Sequence, residues 1–166
     1  MIIQKYFVVL MAAVFFLGCS NMRSVDYGVI SLKQEAITAV HVTAVGLGDV
    51  LKDVPEKEAQ LKIIRQFIDP VRFFVDMSGY FFVYNFDCVN VAHATQKDLV
   101  GKNLFEHKDS RGKLDIQALS ATAKKGSGFV EYYWVKPGSE GEFKKLSYVE
   151  PIPGTDYFIG TGIYLP

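Results

Sequence analysis

Cysteine is scarce in this chain, net charge is absent, and the longest uncharged apolar run is short. Only two cysteines, Cys19 and Cys88, occur in 166 residues, so no disulfide framework supports the fold and core packing must hold it. The 18 basic and 18 acidic side chains cancel. With no basic run among them, a nucleic-acid partner is excluded, because that function needs a positive surface to displace counterions. The three histidines, His41, His93 and His107, stand at separations that match no zinc motif. There is no Gly-x-Ser-x-Gly elbow and no phosphate- or dinucleotide-binding glycine fingerprint. The chain is therefore expected to be no enzyme and to use no cofactor or metal, with an unrecognised hydrolase as the remaining catalytic alternative. What is abundant is apolar material: 49% hydrophobic and 14% aromatic residues against 22% charged exclude a disordered regulator, and the length suits one domain.

The amino terminus carries the first functional feature. Lys5 precedes an apolar run from Tyr6 to Leu17, and Gly18-Cys19-Ser20-Asn21 follows, the arrangement of a signal peptide over residues 1–18. A helix of about 12 residues covers roughly 18 Å of a roughly 30 Å hydrocarbon core, too little to span it comfortably. Phe16-Leu17-Gly18-Cys19 resembles the lipobox of bacterial lipoproteins, which implies an acylated Cys19, a membrane-tethered chain over 19–166 and a place in the cell envelope outside the cytoplasm. Ordinary secretion and an uncleaved anchor helix are the alternatives. With Cys19 consumed, Cys88 is left as a lone thiol with no neighbouring His or second Cys, which reads as a buried bystander.

The helical part of the mature chain is expected over about 24–68. An apolar seam at Ile30, Ile37, Val40, Ala44, Leu47 and Leu51 predicts one long helix from Ser24 to Asp53, since three- and four-residue spacing marks a single helix face. Pro55 cannot extend it. A second helix is predicted from Glu56 to Ile68, with Leu61, Ile64 and Phe67 inward and Asp69-Pro70 as its stop. From Gly79 to Pro166 the texture changes to short aromatic and β-branched runs between turn formers. Strands are predicted at Tyr80–Tyr84, Val89–His93, Phe129–Lys136, Lys145–Glu150 and Tyr157–Tyr164, with a helix over Lys113–Lys125. The short loops after the third and fourth strands permit only antiparallel neighbours. The expected architecture is α+β: an antiparallel sheet of about five strands with a long helix on one face and a short helix with loops over the other. Gly160-Thr161-Gly162 is read as small residues that permit close helix packing.

The strand and turn residues have a family likeness. Gly79-Tyr80-Phe81-Phe82-Val83-Tyr84, Ala92-His93, Leu99-Val100-Gly101-Lys102-Asn103-Leu104, Lys108-Asp109, Gly126 to Tyr133 with Trp134, Pro137-Gly138, Leu146-Ser147-Tyr148-Val149 and Ile159-Gly160-Thr161-Gly162-Ile163-Tyr164 follow in order. This series resembles the single Cache domain, the extracytoplasmic sensory module of bacterial chemoreceptors and histidine kinases. The resemblance implies a PAS-like sheet behind a long amino-terminal helix and a pocket for a small organic acid or amino acid. It also implies relay to a chemoreceptor or histidine kinase, expected here to be a separate protein because the chain stops directly after the last strand. Two departures stand out: Cys88 occupies a hairpin position where the family has Gly, and Ala94 stands in place of the Pro after the histidine.

Candidate ligand-binding residues come from alternation and chemistry. Tyr80, Phe82 and Tyr84 share one side of the first strand, and Tyr132 and Trp134 one side of the third. Either set is a cavity wall with hydrogen-bonding tips, or ordinary core. Arg72 offers a planar fork to a carboxylate or, alternatively, serves structure. His93 ends a strand as a donor or acceptor for a ligand oxygen, or as a satisfied core imidazole. Lys145 and Tyr148 point to opposite faces of the fourth strand, and Tyr148 is the one taken for the cavity. The expectation is an aromatic-walled hollow that holds a guest with a negative end. The alternative is an envelope scaffold or interaction protein that has lost its ligand.

Overall fold

The computed structural model describes residues 19–165, with side chains from residue 28 onward. The leader over 1–18 and the fate of the Cys19 side chain lie outside them. Among the described residues, those up to Gln34 form one unit and those from Glu35 onward another.

Helix α1 (Cys19–Leu51) starts earlier than its seam predicts, and α2 (Lys57–Ile68) follows. The strands are β1 (Phe82–Asn85), β2 (Asn90–His93), β3 (Gly128–Val135), β4 (Glu142–Pro151) and β5 (Tyr157–Tyr164), with α3 (Asp115–Lys124) before β3. They form one antiparallel sheet in the order β2-β1-β5-β4-β3. The β3-β4-β5 meander follows from its short loops, whereas the β1–β5 pairing, Phe82 opposite Gly160, joins segments far apart in sequence.

Both sheet faces are buried. On one, Val40, Ala44, Leu47 and Leu51 of α1 and Ile64 and Ile68 of α2 pack on Phe81, Val83, Val91, Tyr148 and Ile159. The seam differs from expectation at two points. Ile30 of α1 is exposed, and so is Phe67 of α2, the latter because the inward stripe of α2 runs from the half-buried Leu61 through Ile64 to Ile68, at +3 and +7, and leaves Phe67 round the side. Gly48 is required where α1 meets the β4–β5 loop, since a Cβ there would stand 2.9 Å from the Pro153 carbonyl oxygen. The opposite face carries Tyr80, Phe82, Tyr84, Tyr132, Trp134 and Phe158 under Ile116, Leu119 and Ala123 of α3.

The β1–β2 hairpin turns through Phe86-Asp87-Cys88. The Cys88 amide donates to the Asn85 carbonyl at 3.1 Å, and Asn85 Oδ1 accepts from the amides of Asp87 and Val89. Cys88 takes φ +66°, a left-handed conformation that costs a non-Gly residue about 1–2 kcal/mol. Its side chain is buried against the second core and burial pushes the thiol pKa up, as suits an unreactive bystander.

Candidate functional site

Alternation along the strands collects most of the expected residues. Phe82, Tyr84, His93, Tyr132 and Trp134 enclose one space with Ile116 and Leu119 of α3, and Tyr80 is buried on the same sheet face. Tyr148 is not among them. It lies on the helix-covered face, its ring 5.1 Å from Phe129, so its assignment to the cavity is corrected. The register explains why: Tyr132 pairs with Lys145 and Phe129 with Tyr148, and directly paired residues share a face.

Lys145, set aside in favour of Tyr148, instead shares the face of Tyr132 and packs beside the space, against Tyr80 and the wall residue Phe82. It is fully buried. Its Nζ donates to Tyr80 Oη at 2.8 Å and stands 4.2 Å from the Tyr80 ring centroid, 5.3 Å from Phe82 and 5.2 Å from Tyr164. Among the described residues no carboxylate forms an ion pair with it. Burial holds its pKa well below the ordinary lysine range. Aromatic faces return about 0.5–2 kcal/mol to a buried cation, less than the several kcal/mol that removing an ammonium from water costs. The ammonium is therefore undercompensated: it sheds its proton or takes an anion.

The glycines of β5 make room for this arrangement. A Cβ on Gly162 would stand 2.3 Å from Ser147 Oγ and 2.5 Å from Lys145 Cε, and one on Gly160 2.6 Å from the Phe82 ring. These residues accommodate site side chains, which replaces the reading that they serve helix packing. A directed hydrogen-bond chain runs onward. Tyr164 Oη donates to the Val135 carbonyl at 2.6 Å, which leaves its oxygen, 3.3 Å from Tyr80 Oη, to accept the Tyr80 proton while Tyr80 accepts from Lys145. Burial raises the Tyr80 pKa to about 12, so the phenol stays protonated. Tyr132 Oη is fixed to Ser147 Oγ at 3.0 Å, and Trp134 Nε1 donates to Gln96 Oε1 at 2.8 Å.

A Cache domain family model matches residues 31–166. The chain belongs to the Cache domain family. This Cache domain is 40% identical over 87 residues to the sensor histidine kinase MctS of Rhizobium johnstonii, which covers 52% of the chain and 19% of the kinase. It is 25% identical over 164 residues to the methyl-accepting chemotaxis protein McpP of Pseudomonas putida, 95% of the chain and 30% of McpP. The chain thus spans under a third of either relative. A methyl-accepting chemotaxis protein structure from Vibrio parahaemolyticus superimposes with a TM-score of 0.74 at 31% identity, over 86% of this chain and 95% of that one. A Cache chemosensory domain described for carboxylic acid recognition does so with a TM-score of 0.73 at 26% identity, over 85% and 98%.

In this Cache domain Arg72 is committed to the backbone. Its Nη1 donates to the carbonyls of Val71 at 2.6 Å and Asp69 at 3.1 Å, and its Nη2 to that of Ala94 at 2.8 Å. It stitches the α2–β1 connection to the end of β2 and is not among the side chains that enclose the space. Ala94, where the family's Pro is missing, is held by that bond and by its own amide to the Phe81 carbonyl at 3.1 Å.

His93 Nδ1 accepts the Gln96 amide at 3.0 Å, which assigns the imidazole proton to Nε2. Burial, with the charges of Lys145, Lys97 and Arg72 adding to it, lowers the His93 pKa to about 3. The folded pKa is depressed, so its contribution to stability is complete above about 6.5 and is lost as pH falls towards about 3, at up to roughly 1.4 kcal/mol per pH unit. NMR titration of the imidazole C–H resonances should show His93 neutral at pH 5; a midpoint near 6.5 would place it in an open, solvated site.

The hollow expected from the sequence is closed. No water-sized sphere fits within the space bounded by Phe82, Tyr84, His93, Ile116, Leu119, Tyr132 and Trp134. Pockets for drug-sized molecules run from about 300 to 1,000 Å³. A guest must have few atoms and must displace side chains to enter.

Proposed function

We propose that this Cache domain is an extracytoplasmic sensor of a small carboxylate, with Lys145 as the residue that receives the negative end. The observation that carries the reading is a fully buried lysine with no ion-pair partner among the described residues, set among aromatic rings. The solved relative described for carboxylic acid recognition supports the ligand class. The chemotaxis protein and histidine kinase among the relatives support relay to a partner of that kind. Tyr80, Phe82, Tyr84, His93, Tyr132 and Trp134 serve as walls and donors, and Arg72 positions the strand ends around them. Acylation of Cys19 would tether the domain. Cys19→Ser should then release it from the membrane fraction, and retention of that variant would argue for a different anchor.

Isothermal titration with acetate, propanoate and pyruvate tests the ligand class. The carboxylate raises the depressed Lys145 pKa, so binding takes up as much as one proton wherever the pH exceeds the free-state value, and affinity falls as pH rises. Titration in two buffers of different ionisation enthalpy measures that uptake. Heat with no buffer dependence at any pH below the ordinary lysine value of 10.5 would detach binding from Lys145.

A second reading, a scaffold that no longer binds ligand, is favoured by the closed space alone. Thermal-shift screening separates the two, because a ligand at 100 times its dissociation constant stabilises by about 2.7 kcal/mol. A scaffold shows no shift with any acid or amino acid.

A further inference from the structure

Two further buried polar side chains stand next to residues that wall the space. Asn90, at the start of β2, is fully buried, and it pairs with Tyr84, a wall residue. Among the described residues neither its Nδ2 nor its Oδ1 completes a hydrogen bond, although the Tyr84 hydroxyl lies towards the amide. Asp115, in the first turn of α3 next to the wall residue Ile116, is also fully buried. Its Oδ1 is engaged by His107 Nδ1 at 2.8 Å and the Ile116 amide at 2.9 Å, while its Oδ2 has no partner. Three buried polar atoms left without partners are costly, because each has given up its water for no hydrogen bond.

We infer that Asn90 and Asp115 form a second, polar subsite, which accepts a hydrogen-bond donor on the ligand, so that the domain selects a carboxylate with a hydroxyl over the plain alkyl acid. The inference rests on the carboxylate reading of Lys145 and specifies the ligand further. Asn90 supplies an acceptor and a donor to the hydroxyl, and Asp115 Oδ2 an acceptor. An alkyl acid would leave all three unpaired, and sites built to hydrogen-bond a hydroxyl reject the analogue that lacks it.

The test is calorimetric titration of the wild-type domain, Asn90→Leu and Asp115→Asn with butanoate and its three monohydroxy derivatives. At least one hydroxy acid should bind wild type ten times more tightly than butanoate, and that ratio should fall below threefold in either variant that folds. Thermal melts identify folded variants, and the wild-type ratio stands as a test without them. Equal affinities for all four acids in wild type would overturn the subsite while Lys145 stands. A ratio that persists in the variants would overturn the assignment to these residues. Binding of none of the four acids would overturn the subsite, and would overturn the Lys145 reading as well only if acetate, propanoate and pyruvate also fail to bind. A water held by Asn90 and Asp115 alike in free and hydroxy-acid-bound crystals would assign the orphaned atoms to solvent and overturn the subsite.

Discussion

Lys145→Met raises the thermal stability of the ligand-free domain and removes its affinity for small carboxylates. The two effects have one cause. Lys145 is completely enclosed, and its depressed pKa reflects the cost of keeping an ammonium there. Methionine has a similar unbranched length, fills the groove over Gly162 and carries no charge. Replacing poorly compensated buried charge with apolar side chains of like volume is neutral to stabilising by about 1–4 kcal/mol. The gain should be largest at low pH. The folded Lys145 pKa lies below that of the unfolded chain, so the wild type loses stability as pH falls from 10.5 through the depressed value, where the unfolded chain holds a proton that the folded one does not. For the ligand the sign reverses: deleting one partner of a buried, hydrogen-bonded charge pair costs about 2–5 kcal/mol, a loss of roughly thirtyfold or more in affinity. Chemical denaturation of the free protein together with calorimetry measures both. A variant that is destabilised and still binds would make Lys145 an ordinary structural lysine.

Gly162→Ala should have the second-largest effect, on binding and on folding alike. The added methyl group would meet Lys145 Cε at 2.5 Å and Ser147 Oγ at 2.3 Å. Both belong to side chains, so they move before the backbone does. That movement breaks the Lys145–Tyr80 bond and the Ser147–Tyr132 bond together. Overpacking of this kind costs about 1–3 kcal/mol of stability, and displacement of the ammonium should weaken carboxylate binding at least tenfold. In a Lys145→Ala, Ser147→Ala background the same substitution should cost little stability, because contacting residues are not additive. Equal cost in both backgrounds would place the strain in the β5 backbone.

The fold was legible where local chemistry decides it. The stripe at Val40, Ala44, Leu47 and Leu51 declares α1, and Pro137-Gly138 and Pro153-Gly154 mark the turns of the meander. The pairing of β1 with β5 carries no local signature, because it depends on tertiary contacts across most of the domain. The aromatic walls were legible for the same reason as the strands: a period of two sets Tyr80, Phe82 and Tyr84 together, and Tyr132 with Trp134. Lys145 was not. Whether it or Tyr148 faces those walls is a matter of register between β3 and β4, which a single strand does not encode. The paired glycines at 160 and 162 were the available clue, since small residues on one strand face leave room for long side chains from its neighbours. Arg72 drew attention as an anion fork, yet the carbonyls of Asp69, Val71 and Ala94 at chain reversals need donors, and the guanidinium supplies them.

The most direct test of the account is a crystal structure of the domain with acetate. A carboxylate oxygen about 2.7–2.9 Å from Lys145 Nζ, with the rings of Phe82 and Trp134 shifted to admit it, is the predicted result. Acetate bound away from Lys145, with the ammonium still resting on Tyr80 and the space still closed, would contradict it.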